Sequence, residues 1–146
     1  MEQQPIRDKL NIQISEIYES LSRVERESAR KASSGQLSVS EMHTLEAIEK
    51  GRGTKMTDVA ARLGVTISTL TIAVNRLVQK SLVERARTDS DRRIVQISLT
   101  GTGHGVVAGH RRFRRQMLGE IISGLQPDEL NFLSKILDKF QDLIQI

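Results

Sequence analysis

From Ile6 onward the apolar residues Ile6, Leu10, Ile14, Ile17, Leu21 and Val24 recur at intervals of 4, 4, 3, 4 and 3. That period draws one apolar stripe along an α-helix, so the pattern predicts an amphipathic helix of about 20 residues. Ala32-Ser33-Ser34-Gly35 breaks it. Ser38-Val39-Ser40-Glu41 then has capping-box spacing, in which a serine hydroxyl and a glutamate carboxylate each satisfy an orphan backbone N–H, and it opens a second helix to about Lys50. Gly51-Arg52-Gly53 ends that helix. Thr57 is expected to cap a short helix to Leu63, Gly64-Val65 to turn a tight corner, and Thr66 or Ser68 to start another helix running to about Lys80. Two short helices joined through a glycine predict a helix-turn-helix.

After Ser81 the period changes. Leu82-Val83-Glu84-Arg85-Ala86-Arg87 and Arg93-Ile94-Val95-Gln96-Ile97-Ser98-Leu99 are β-rich runs around the polar turn Thr88-Asp89-Ser90-Asp91-Arg92, which predicts a β-hairpin with a basic, polar tip. A helix from about Thr102 follows, weakened early by Gly103, Gly105 and Gly109 and ending near Ser123-Gly124. In Gln126-Pro127-Asp128-Glu129, proline at the first helical position and acids in the first turn mark a last helix; its Leu130, Leu133, Leu137, Phe140 and Ile144 repeat at 3, 4, 3 and 4.

The order of elements defines a mainly α chain: a winged helix-turn-helix core with a β-hairpin wing over residues 38–100, flanked by terminal helices at 1–30 and 102–146, all within one single-domain chain, 1–146. Both flanking seams are too long and apolar for so small a core to cover. They are therefore expected to be dimerisation helices that pair with a second copy in a homodimer.

Composition narrows the classes. With 38% hydrophobic and 27% charged residues the chain is globular rather than collagenous or disordered, and with no Cys it has no disulfide, thiolate metal site or cysteine nucleophile. The N-terminal run MEQQPIRDKLNI carries charges where a signal peptide needs an apolar stretch, and no long uncharged apolar segment occurs, so a cytoplasmic location without membrane contact is expected. Aromatics are only 3% with no Trp, which argues against base or sugar stacking. Charge is unevenly spread: residues 1–51 hold seven basic and nine acidic side chains, 52–115 thirteen and four, 116–146 two and five. A basic middle segment of +9 between acidic flanks suits a nucleic-acid-binding lobe, because neutralising phosphates needs concentrated positive charge.

The run Asp91-Arg92-Arg93-Ile94-Val95-Gln96-Ile97-Ser98-Leu99-Thr100, with Gly103 three residues on, resembles the DRR…L-T-x-x-G wing signature of MarR-type transcriptional regulators. Val59-Ala60-Ala61-Arg62-Leu63-Gly64-Val65-Thr66, followed by Leu77-Val78-Gln79-Lys80-Ser81-Leu82-Val83-Glu84-Arg85, is similar to the same family's recognition-helix region and first wing strand. The resemblance spans about Ser40 to about Gln116. Ser81 departs from it, since the family usually has glycine there, at a position following a helix where left-handed backbone is favoured.

The resemblance implies a repressor that binds double-stranded DNA as a homodimer. Thr66, Ser68, Thr69, Thr71 and Asn75 then offer exposed hydroxyls and an amide to base edges or phosphates in the major groove, and Arg76 reaches a phosphate, while Ile67, Leu70, Val74 and Leu77 face the core. In the wing, the family pattern puts Arg93 in the minor groove, with Asp91 holding its guanidinium and Arg92 beside it. Glu41-Met42-His43-Thr44-Leu45 with Val65-Thr66-Ile67-Ser68-Thr69-Leu70-Thr71 looks like the branch that represses bacterial fatty-acid-synthesis genes, whose implied corepressor is acyl-acyl carrier protein. Val106, Phe113 and Met117 are the expected apolar lining for such an effector, with Arg111 and Arg114 as a basic edge for an acidic carrier.

The alternatives are a repressor released by a small phenolic or drug-like ligand, a zinc sensor, and a winged-helix interaction module without DNA binding. The three histidines, His43, His104 and His110, are read as packing or solvent residues rather than metal ligands, because no thiolate is available and an i, i+6 spacing sets the last two on different faces. No cofactor is expected. No enzyme is expected either, for the chain has no G-x-S-x-G, P-loop, H-E-x-x-H or cysteine nucleophile.

Overall fold

The computed structural model describes residues 4–51, 54–87 and 94–144. Along them run α1 (Gln4–Ala32), α2 (Val39–Gly51), β1 (Thr54–Lys55), α3 (Met56–Leu63), α4 (Ile67–Gln79), β2 (Val83–Arg87), β3 (Val95–Leu99), α5 (Gly101–Ser123) and α6 (Pro127–Leu143). The chain divides into two compact units, Met1–Arg111 and Arg112–Ile146. No single helix among the described residues is long and apolar enough to cross a membrane.

Local chemistry explains the helix ends of the first unit. At α2 the capping box forms as its spacing predicts: the Ser38 N–H donates to Glu41 Oε2 at 3.0 Å and the Glu41 N–H to Ser38 Oγ at 3.2 Å. The expected cap at Thr57 is not there. Lys55 occupies the N-cap in extended conformation without a side-chain cap. The reason is β1, a two-residue strand that the sequence pattern does not reveal: Lys55 pairs with Gln96 of β3, so the strand hands over directly to α3 and Thr57 falls inside the helix.

Gly64 closes α3 in the left-handed region at φ 65°, with the Val65 N–H donating to Ala60 O at 3.1 Å and the Gly64 N–H to Ala61 O at 3.2 Å. This pair of bonds satisfies carbonyls the helix end would orphan. The chain turns through 107° between α3 and α4, within the range of a helix-turn-helix. At the far end of α4 the same device recurs without glycine. Ser81 sits at φ 58°, its N–H donating to Val78 O at 2.9 Å and the Leu82 N–H to Leu77 O at 3.0 Å.

The sheet is antiparallel, in the order β1-β3-β2, with Val83 opposite Leu99 and Arg87 opposite Val95. Alternation along β3 points Ile97 and Leu99 inward. They meet Met42, Leu45 and Ile48 of α2, Val59 and Ala60 of α3, Leu70, Val74 and Leu77 of α4, and Val107 of α5 in one core. In α1 only Ser28 and Ala29 are buried, and every residue from Gln4 to Leu21 is exposed. In the second unit α6 buries no residue; Leu133, Leu137 and Phe140 are exposed along its seam.

Candidate nucleic-acid interface

Leu70, Val74 and Leu77 recur at i, i+4 and i+7 on α4 and are buried to 1%, 0% and 0% exposure. With 100° of rotation per residue the opposite ridge must carry Ser68, Ile72, Asn75, Arg76 and Gln79, and all five are exposed. Thr66 is the N-cap: its Oγ1 accepts from the Thr69 N–H at 3.1 Å and lies 2.9 Å from Thr69 Oγ1. Thr66 and Thr69 are thus exposed at the helix N-terminus, where backbone N–H groups and the helix dipole favour an anion.

Two expectations for α4 change. Ile67 does not face the core but is 51% exposed. It is the first helical residue, and since Cα–Cβ bonds tilt toward the N-terminus its side chain projects past the end of the helix rather than under it. Thr71 is half-buried, and its hydroxyl donates to Ile67 O at 2.8 Å, so it braces the first turn. Asp91, Arg92 and Arg93 lie outside the described residues. Arg85 and Arg87 are exposed on β2, the strand that precedes residues 91–93 in the chain.

The far end of α4 is fastened to α2. The Lys80 ammonium donates to Glu41 Oε1 at 2.9 Å and to Gln36 O at 2.7 Å. Burial pushes the Glu41 carboxyl up, but the hydrogen bond and charge of Lys80, with the hydrogen bonds of Ser38, outweigh it and hold the group below the usual glutamate range. The one carboxylate therefore caps α2 and anchors α4.

The three histidines occupy three different settings. His110 is fully buried on α5, its Nδ1 2.6 Å from Ser28 Oγ of α1 and its Nε2 3.8 Å from Glu46 of α2. His43 Nε2 lies 2.9 Å from Glu25, and His104 Nδ1 lies 3.4 Å from Glu49. Among the described residues no group of three or more metal-ligating side chains is assembled.

The residues expected to take an effector are divided between the units. In the first, Val106 packs partly buried against the core, and the exposed Arg111 donates from its guanidinium to Glu49. In the second, Phe113, Arg114 and Met117 are half-buried. A shallow groove in the first unit is lined instead by Val39, Ser40, His43, Thr44, Leu63, Val65, Thr69, Leu70 and Ala73, beside the start of α4.

Comparison with known proteins shows what this arrangement is similar to. The MarR family model matches residues 36–94, from just before α2 to just before β3. The transcriptional repressor MdtR of Bacillus subtilis is 30% identical over 94 residues, which is 62% of this chain and 58% of MdtR; the chain thus matches little more than half the length of this curated relative. Among solved structures, Streptococcus pneumoniae FabT in complex with DNA superposes with a TM-score of 0.87 at 29% identity, covering 95% of this chain and 97% of FabT. Apo MarR of E. coli shares the fold with a TM-score of 0.71 at 24% identity, over 90% of this chain and 95% of its own. The named relatives are transcription regulators, not enzymes. Residues 36–94 thus match the MarR family, and over nearly all of its described length the chain has the winged helix-turn-helix fold of the FabT structure it superposes on.

Proposed function

We propose that the protein is a sequence-specific DNA-binding repressor that acts as a homodimer on pseudo-palindromic operators. The observation that carries this reading is the exposed ridge of α4, where Ser68, Asn75 and Arg76 stand opposite the buried Leu70, Val74 and Leu77 within the +9 segment of the chain. The superposition on DNA-bound FabT supports it. The exposed seams of α1 and α6 are the surfaces assigned to the partner copy. Two recognition helices related by a two-fold axis require half-sites about 10 base pairs apart. Selection of binding duplexes from a random pool tests this: recovered inverted half-sites at that spacing are expected, and equal binding to any duplex overturns the proposal.

Within this reading the effector is a long-chain acyl-acyl carrier protein that strengthens operator binding. Support comes from the likeness to the fatty-acid branch in the sequence around Glu41–Leu45 and Val65–Thr71, and the likeness to FabT fits that branch. Val106, Phe113 and Met117 are the side chains assigned to the acyl chain, Arg111 and Arg114 to the acidic carrier. Operator titration with long-chain and short-chain acyl carrier protein checks it; identical affinity with both removes the corepressor while leaving the repressor standing.

A further inference from the structure

Ile72 sits where a solvated helix gains nothing from an isoleucine. It is 57% exposed and points directly away from the line of Leu70, Val74 and Leu77 that docks α4 on the core. Ser68 precedes it by one turn, and Asn75 and Arg76 follow it by one turn, so its side chain is the apolar centre of an otherwise polar ridge. Isolated exposed hydrophobes are ordinary on protein surfaces, so position and chemistry have to carry the argument. This one is β-branched, hence stiff at χ1, and it lies at the middle of α4 rather than at an end.

In the major groove the base edges present hydrogen-bond donors and acceptors, and the C5-methyl beside thymine O4 is the one alkyl group among them that a side chain can meet. A hydroxyl, an amide and a guanidinium flanking an alkyl group complement a groove surface in which a methyl is flanked by hydrogen-bonding edges. We infer that Ile72 is a specificity-determining residue that reads a thymine C5-methyl in each operator half-site. This rests on the DNA-binding reading of α4 proposed above. Burying one methyl-sized group contributes about 0.8 kcal/mol, which converts to about 4-fold in affinity per half-site and about 15-fold for a symmetric pair.

Deoxyuridine keeps every hydrogen-bonding group of thymine and lacks only the methyl, so it isolates the contact. Operators selected from a random pool by the protein are resynthesised with each thymine in turn replaced by deoxyuridine, symmetrically in both half-sites. Their affinities are then compared for the unmodified protein and for Ile72→Ala. One thymine position is expected to lose about 15-fold on demethylation with the unmodified protein and less than about 2-fold with Ile72→Ala. Because Ile72 is exposed, the variant should unfold at the unmodified temperature, which a thermal melt verifies. If both proteins bind the selected operator specifically but respond alike to every deoxyuridine, Ile72 does not read a methyl and the repressor reading stands. If the selection recovers no preferred sequence, the DNA-binding reading fails and this inference falls with it.

Discussion

The hydroxyl of Thr100 donates to the backbone carbonyl of Ser81 at 2.7 Å and accepts from the N–H of Gly103 at 3.1 Å. One side chain thus ties the exit of α4 to the start of α5, and the Thr100 N–H adds a bond to Leu82 O at 3.1 Å. α4, the sheet and α5 meet at this knot, so the orientation of α4 depends on it. Ser81 holds the left-handed conformation there at φ 58°. An L-residue pays about 1–2 kcal/mol for that, and glycine avoids the cost while losing part of the gain to its freer unfolded chain.

Ser81→Gly is accordingly expected to stabilise the fold by about 0.5–1 kcal/mol, raising the melting temperature by a few degrees. Thr100→Val, which keeps the shape and removes both side-chain bonds, should cost about 1–3 kcal/mol. Calorimetry of the two variants checks the pair; a neutral Thr100→Val would mean the knot carries no stability.

Gly103 is required by a close approach, not by its backbone angles. A Cβ placed on it would stand 2.2 Å from Leu82 O, on backbone that β2 and β3 hold in register. Gly103→Ala is expected to destabilise by about 1–3 kcal/mol or more, whereas Gly105→Ala, where an added Cβ meets nothing within 4 Å, should stabilise α5 by up to about 1 kcal/mol. Denaturant titration of both variants measures the contrast.

Glu41 makes stability depend on pH in a defined sense. Its carboxyl is held below its unfolded value, so its contribution is fully present above the unfolded pKa and is lost as pH falls through the lower folded one. Glu41→Gln retains the capping geometry and removes the charge that meets Lys80. The variant should be less stable by about 1–2 kcal/mol at neutral pH, and the gap should close as the solution is acidified below the usual glutamate range. A gap that is constant with pH would show that the charge does not matter.

Salt separates the roles proposed for the DNA-facing residues. Arg93→Ala should weaken operator binding strongly, and Thr69→Ala should change which sequence is preferred while leaving the slope of affinity against salt nearly unaltered. Anisotropy titrations over a range of salt concentrations read both effects, and a Thr69→Ala protein with unchanged preference would remove Thr69 from base reading.

For the proposed carrier contact, the setting of Arg111 decides which substitutions to use. Arg111 donates to Glu49, so a glutamate at that position would set two carboxylates together and disturb folding. Arg111→Gln with Arg114→Gln is the milder pair, expected to abolish any enhancement of operator binding by long-chain acyl carrier protein while ligand-free binding stays within about 2-fold, the proportion expected when no phosphate contact is lost. A collapse of ligand-free binding would assign these arginines to DNA.

Much of this architecture is written in local pattern. The capping box at Ser38 and Glu41, the glycine corner at Gly64, the N-cap at Thr66 and the proline start of α6 all involve groups within a few residues of one another, so side-chain type and spacing determined them before any tertiary contact formed. The left-handed backbone at Ser81 belongs with them: a residue following a helix in a motif that otherwise uses glycine announces that conformation. Tertiary structure decided the rest. β1 is too short to have a period and exists because β3 offers it an edge, which in turn moved the start of α3 away from Thr57. Ile67 is apolar like a core residue but lies at a helix end, where it stays 51% exposed. His110 with Ser28 and Glu41 with Lys80 join residues 82 and 39 positions apart, pairs that no local spacing encodes. Their contacts follow from how α1, α2, α4 and α5 close around Met42, Leu45 and Leu77, because burying that apolar surface selects one helix arrangement and the polar groups at its margin must then find partners.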